Sequence, residues 1–569
     1  MTLINPENRL PTPAELRQSG DLAARAALFA LERRYLDNLS WDRVRFRQVR
    51  QPLDWQMDAR FIQLDRVGQS GENAQQMLRL GMNNLLSVMH SSLGSGSLIF
   101  ALGSDGRTHA LHMGVRAASA ASATQAATAQ SASSQLGALT GALRGSLPGS
   151  QWTPLTPSAA QRDLLTPLSE WGSLGVMTGI PSFKLDSQEG QGLERLVEAL
   201  AGHAYQLLVI ADPLPQASID TMLERARALS GELHGHVKHA LNVSRANSTS
   251  FNESVSEESN ESQSATTGTS RGINQQSIGA SAGSGLSMAI ALLGMAAGLG
   301  PAAVLLGELA SSGASAISGR KSSNSGDSTS DTQVSGRGRS DSTSTGSSDS
   351  DTHTVDAELL NKNAEYAEAM LDRIIERLQK GRGVGLWNVG VYLIAPDAAT
   401  LAQGQSYLRA FSAGQETDSE SIRTIDLTRM LSGGASGATA LDIPRAALSA
   451  LTNPALEFAD PNAHHPLGSA FESLATPLNT DELSLWMNLP TREMSGVSVQ
   501  SVVHFGLNPP LLHSSQAGLM LGEVLSASGG TGRAVTLPAD RLVRHAFITG
   551  TTGSGKTNTT LQLIRQLHA

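Results

Sequence analysis

Apolar residues recur at Ala74, Leu78, Met82, Leu85 and Met89, a helical spacing that predicts one buried face. The period then changes to two. Leu98, Phe100 and Leu102 alternate, Asp105-Gly106 supplies a turn, and Leu111, Met113 and Val115 alternate back, which predicts a β-hairpin. From Ala117 to Leu143 the chain is rich in Ala, Ser and Gln and carries no charge, a composition that suits a helix or a loop. Leu193, Leu196, Val197 and Leu200 predict a further helix face, followed by a strand at 205–211 and a helix to about Val243. Leu360, Ala364, Ala367, Leu371, Ile374 and Leu378 form a core-facing helical stripe, with Gly381 as its expected C-cap and "GLWNVGVYLIAP" as the next strand. These elements predict an α+β domain over residues 61–242 and 355–431, preceded by a helical leader at 1–60.

Residues 243–354 interrupt that domain. Their arms are rich in Ser, Thr, Asn and Gly, as in "NSTSFNESVSEESNESQS". Between the arms lies the apolar tip 286–307, "LSMAIALLGMAAGLGPAAVLLG", inside a stretch without charge from Gly272 to Gly307. The tip is long enough to cross a hydrocarbon core, and Gly294 and Gly298 make a small-xxx-small pair. Four glycines and Pro301 weaken it as a helix, and no Lys or Arg anchors either end. Membrane spanning, contact with a membrane or partner protein, and unstructured filler all remain open from the residues. Both arms leave and re-enter one domain, so the insertion is expected to project from it.

Composition narrows the function classes. Net charge is −9, so no global basic field advertises nucleic acid, and aromatics at 4% argue against a base-stacking platform. Without cysteine, disulfides, thiolate metal sites and cysteine nucleophiles are excluded. "MTLINPENRLPTP" lacks a charged-then-apolar signal pattern, so the expected location is cytoplasmic, with membrane association through 286–307 open.

The densest chemistry is "GTTGSGKT". Gly550, Thr551, Thr552, Gly553, Ser554, Gly555, Lys556 and Thr557 fit G-x-x-x-x-G-K-[ST], the loop whose backbone N–H groups cradle phosphates. Its lysine reaches the β- and γ-phosphates and its Thr557 hydroxyl ligates Mg²⁺, so ATP and Mg²⁺ are the expected cofactors. His545-Ala546-Phe547-Ile548-Thr549 is expected to be the buried strand before the loop, and Leu561, Leu563 and Ile564 fit the helix after it.

"RLVRHAFITGTTGSGKTNTT" (541–560) resembles the motor segment of the FtsK–HerA superfamily. "GLMLGEVLSASGGTGRAVTLPADRL" (518–542) is similar to the β-rich lead-in of HerA-type and conjugation-type ATPases, and "LNTDELSLWMNLPTREMSGVSV" (478–499) to the segment ahead of it. The resemblance covers about the last hundred residues. It implies a ring-forming, hexameric ATPase that moves DNA or another polymer, and a RecA-like α/β core beginning at 547. In such relatives the Walker B acid and the arginine finger follow the P-loop, whereas this sequence stops at Ala569. The expectation is therefore a truncated motor whose residues 1–569 do not turn over ATP. The alternative is a nucleotide-binding scaffold, membrane- or partner-associated, that does not hydrolyse.

The full expectation is an α+β region with a low-complexity insertion, a linker with a short helix (432–498), a β-rich adaptor (499–546) and the start of a P-loop ATPase core (547–569). Weaker candidates fall away on local chemistry. Asp212 ends a Walker B-like apolar run but is followed by Pro213, which leaves an ordinary buried strand. His464-His465 is read as a solvated loop, and the acidic run with Asp349, Asp351 and Asp356 lacks the glycine a calcium loop needs. The N-x-[ST] sites at Asn242, Asn247, Asn252 and Asn260 are compositional, and Gly94-Ser95-Gly96 is no nucleophile elbow.

Overall fold

A computed structural model describes residues 13–37, 44–49, 53–69, 74–118, 125–182, 193–247, 351–414, 420–431, 437–460, 463–502, 518–526, 529–539, 542 and 545–568. The first elements are helix α1 (Pro13–Leu31), strand β1 (Val44–Phe46), the single turn α2 (Trp55–Asp58) and strand β2 (Ala59–Gln69). Then come α3 (Ala74–Leu93), β3 (Ser97–Asp105), β4 (His109–Arg116), α4 (Gln125–Ser146), β5 (Gln151–Leu155), α5 (Pro157–Glu170) and β6 (Ser173–Thr178). The middle of the chain forms α6 (Leu193–Ala199), β7 (Ala204–Pro213), α7 (Gln216–Val237) and β8 (Lys238–Asn247). After the insertion follow β9 (Asp351–Leu360), α8 (Lys362–Val384), β10 (Leu386–Ala395), α9 (Ala398–Ser412), β11 (Arg423–Asp426) and α10 (Leu427–Leu431). The last part contains α11 (Gly437–Ser449), β12 (Leu456–Phe458), β13 (Thr476–Asn479), α12 (Thr480–Trp486), β14 (Ser498–Ser501), β15 (Gly518–Ser526), β16 (Gly529–Pro538) and α13 (Lys556–His568).

Ten of these strands make one sheet, in the order β11-β6-β10-β7-β3-β4-β2-β14, with β13 also beside β10 and β5 beside β2. Every pairing in it is antiparallel except β14 on β2. The expected hairpin forms in register, Ser97 opposite Arg116 and Ser104 opposite His109. Strand alternation sorts side chains between two cores. Leu98, Phe100 and Leu102 share one core with Leu207, Val209, Trp387, Val389, Val391 and Leu393. Ile99, Ala101, Leu208, Ile210, Tyr392 and Ile394 line the other. Helix α3 covers the first face through Leu78, Met82, Leu85 and Met89, as its spacing predicts. Each such large side chain contributes about 1.5–3 kcal/mol on burial.

A third core joins α1, α7 and α8 through Ala24, Ala27, Leu31, Met222, Leu371 and Leu378. Strands β8 and β9 leave the ends of α7 and α8 and pair antiparallel from Lys238–Leu360 to Asn247–Asp351. The two arms of the insertion thus depart side by side, while 248–350, with the apolar tip 286–307, lies outside the described residues. Among the described residues no helix is long and apolar enough to cross a membrane.

Several expectations change. The leader at 1–60 is built into the cores: α1 packs on α7 and α8, and β1 pairs with β12. The expected linker at 432–498 supplies β13, which pairs with the central strand β10, and β14 begins within it at Ser498. Both strands have four residues, too few for an alternation to show, and β13 contains Pro477. The Ala/Ser/Gln stretch is helical as α4, and α7 stops at Val237 because β8 starts at Lys238. Helix α8 is capped by Gly385 at φ 106°, one turn beyond Gly381, which a neighbouring Leu386 side chain packs against.

Candidate functional site

The nucleotide-type loop is built on the β15–β16 hairpin, whose strands pair antiparallel from Gly518–Pro538 to Ser526–Gly529 with two irregularities. Helix α13 rests on strand β15 of that hairpin. Leu563 is its buried residue. The Gln566 amide acts on β15 like another strand: its Oε1 accepts from Met520 N at 2.6 Å, and its Nε2 donates to Met520 O at 2.9 Å. Nothing in local sequence marks that glutamine, because the bond is made to a backbone far along the chain.

Between hairpin and helix, residues 545–550 carry no regular secondary structure, so the expected strand at His545–Thr549 is not formed among the described residues. A five-residue strand needs a neighbour to satisfy its backbone, and β15 and β16 pair only with each other. Phe547 is accordingly 91% exposed.

The loop then closes on itself. Ser554 N donates to Thr551 O at 3.2 Å, a tight turn. Gly553 and Gly555 hold φ at 86° and 84°, a region that residues with a Cβ rarely enter. Open space lies around both positions, whereas a Cβ at Gly550 would stand 2.3 Å from Ser554 Oγ. Thr559 N donates to Gly555 O, so helical bonding begins at the loop's last glycine and the first-turn N–H groups face outward. Lys556 Nζ donates to Gly550 O and Thr551 O, each at 2.7 Å, and so crosses the loop. The Thr557 side chain is exposed one residue into the helix. Gly550, Thr551, Thr552, Gly553, Ser554, Gly555, Lys556 and Thr557 are therefore gathered in one turn that opens to solvent. Such a turn presents backbone donors, a helix N-terminus and one ammonium, a set that fits a phosphate chain.

Asp212, His464 and His465 are held within the fold. Asp212 accepts from Ser97 Oγ at 2.5 Å and from Asn453 Nδ2 at 2.9 Å, and Ser97 Oγ in turn accepts from Arg116. Burial pushes its pKa up, opposed by Arg116, Ser97 and Asn453. It ties β3, β4 and β7 together, as an ordinary buried strand end would. His465 corrects the reading of a solvated loop. It is 1% exposed, stacked on Phe471 at 4.6 Å, with Nε2 at 2.9 Å from Ala30 O and Nδ1 accepting from Leu467 N at 3.2 Å. His464 instead meets Glu472 at 3.2 Å. Among the described residues no group of His, Asp or Glu is arranged to hold a metal ion.

Residues 531–569 match the family model for the type IV secretion-system coupling protein DNA-binding domain. The match takes in most of β16, the loop and α13, and leaves the ten-stranded sheet outside it. That domain belongs to a family of DNA-translocating ATPases related to FtsK and HerA. No curated protein and no solved structure matches the chain.

Proposed function

We propose that the protein is a nucleotide-binding component of a coupling-protein-type motor, in which ATP drives movement of DNA or another polymer through a hexameric ring. The observation that carries this is the loop geometry at 550–557 inside the segment that matches the coupling-protein family. In this reading the N–H groups from Thr551 to Gly555 hold the phosphate chain. Lys556 exchanges its two carbonyl acceptors for phosphate oxygens, a swap that shifts its charge-assisted bonds from neutral to anionic partners. Thr557 would offer its hydroxyl to Mg²⁺, which would neutralise charge on the phosphates. Bound MgATP would supply the phosphoanhydride whose cleavage powers movement.

Hydrolysis also needs an acidic group for Mg²⁺ and water, and a stabiliser of transition-state charge. The loop's own residues include neither, so steady turnover would need both groups from outside residues 550–557. Fluorescent ATP titrated into the full chain tests the binding. Saturable binding that Lys556→Ala weakens at least tenfold supports the assignment, and unchanged affinity in that variant refutes it. Steady phosphate release from the same chain, lost on Lys556→Ala, would show that it hydrolyses unaided.

A further inference from the structure

A wide cleft lies far from the nucleotide-type loop in sequence, alongside the open edge of the sheet. Strand β11 is the terminal strand: among the described residues it pairs with β6 on one side and with nothing on the other. All four of its residues line a cleft of about 1200 Å³, whose other walls come from α8, α9, α10 and the turn at 32–37. That exceeds the roughly 300–1,000 Å³ of small-molecule sites and is the scale of a polymer segment. An unpaired edge is a row of backbone donors and acceptors, which invites another strand.

The charges on the walls are unevenly used. The carboxylates are engaged within the protein: Glu32 with Arg34, Asp37 with Arg423, and Asp426 as acceptor of the Arg429 backbone N–H at 2.9 Å. Arg409 and Arg429, in contrast, are exposed on the cleft and their guanidinium groups bond to no described residue. Deeper in, Glu420 is 7% exposed, and its Oε1 makes no hydrogen bond. It stands 3.6 Å from Arg33 Nη1 and 3.7 Å from Arg423 Nη1, and that Arg423 nitrogen is also unbonded. Arg33 and Arg423 thus flank the Glu420 carboxylate at the inner wall of the cleft.

We propose that this cleft is a docking groove for an extended, acidic segment of a partner protein. The segment adds a strand to β11, over about 13 Å for four residues at roughly 3.3 Å each. Its carboxylates meet Arg409 and Arg429, whose planar forks match that geometry. A polyanion without a peptide backbone would leave the strand edge unpaired, so nucleic acid is disfavoured. Charged residues on an edge strand also discourage unwanted pairing. The open cleft beside this edge is what makes pairing sterically feasible.

The test uses the full chain and fluorescein-labelled octapeptides that alternate Glu with Val or Lys with Val. A third probe is the Glu peptide with alternate backbone nitrogens methylated, and a fourth is a single-stranded oligothymidylate. Anisotropy is expected to show saturable binding of the Glu peptide only. Methylation should weaken it at least tenfold, because strand addition rests on main-chain bonds. Arg409→Glu with Arg429→Glu, both at exposed positions and checked for an unchanged circular dichroism spectrum, should reverse the preference toward the Lys peptide. No saturable binding of the Glu peptide at millimolar concentration overturns the proposal, as does binding indifferent to methylation or to the charge swap. Binding of the oligothymidylate alone, lost in the double variant, would make the cleft a nucleic-acid site. Sedimentation that shows self-association abolished by that variant would make it an interface between copies; either result overturns the proposal.

Discussion

Replacing Arg33 with methionine should destabilise the sheet domain more than any surface change of similar size. Its side chain is fully buried, with the guanidinium donating to Ser473 O, to Thr476 Oγ1 at 3.2 Å and to Tyr35 Oη at 3.2 Å. Glu420 lies 3.6 Å away, and its side chain is 6% exposed. Burial disfavours the guanidinium charge, but Tyr35 and Glu420 outweigh that and its pKa is raised, so it stays ionised at every pH of interest. The residue also sits at φ 51°, a left-handed conformation that costs a side chain about 1–2 kcal/mol. Such strain persists only where surrounding bonds over-determine it.

Methionine keeps most of the volume and the strain but removes every donor. It leaves Glu420 as a buried carboxylate whose nearest remaining cation is Arg423, at 3.7 Å. Breaking a buried pair by removing one partner costs about 3–5 kcal/mol, chiefly through the charge left behind. If that is the mechanism, adding Glu420→Gln should recover part of the loss, with a coupling of about 1–3 kcal/mol. Guanidinium denaturation at neutral pH, followed by tryptophan fluorescence and circular dichroism, gives the four stabilities of the cycle. A loss under about 1 kcal/mol for Arg33→Met would refute the reasoning. So would a double variant whose losses simply add, because the two groups would then not be sensing each other.

Three further outcomes are expected. His465 is fixed in its neutral form, because Leu467 N–H already points at Nδ1, and burial pushes its pKa down to about 3. The unfolded state therefore takes up a proton that the native state refuses, and stability should fall as pH drops from about 6.5 toward 3, by about 1.4 kcal/mol per pH unit. Denaturation midpoints measured across that window should show the slope reduced by one proton in His465→Gln; an unchanged slope refutes the assignment. Glu482 accepts from Asn479 N at 2.9 Å in a capping box and binds Arg377 through two bonds of 2.7 and 2.8 Å. Its replacement by alanine should cost about 2–4 kcal/mol by the same denaturation assay, and a surface-like loss of a few tenths would sink the idea. Lys556→Ala, by contrast, should abolish nucleotide binding and leave the melting temperature within a degree or so, because its ammonium bonds only to the exposed loop it spans.

What the sequence revealed, and what it hid, follows from the range of each interaction. The stripes of α3 and α8 and the alternation of β3, β4 and β10 are set by which face meets the core, and that repeats within a few residues. The proposed phosphate loop shows in the sequence for the same reason, since its pattern needs adjacent backbone groups and one neighbouring lysine. Contacts closed across the chain left no such trace. Arg33 reaches Thr476 over 443 positions, and His465 is buried only because Ala30 O and Leu467 N satisfy both ring nitrogens. Strand β13 is four residues with a proline and reads as linker until β10 is seen beside it. The error at His545–Thr549 runs the other way: an apolar pentamer looks like a strand locally, but pairing belongs to its neighbours, and none of the described strands borders it. The cleft beside β11 is the extreme case. Its walls draw on residues from Glu32 to Met430, its use rests on an unpaired edge, and an edge is a property of the assembled sheet that no stretch of the chain carries by itself.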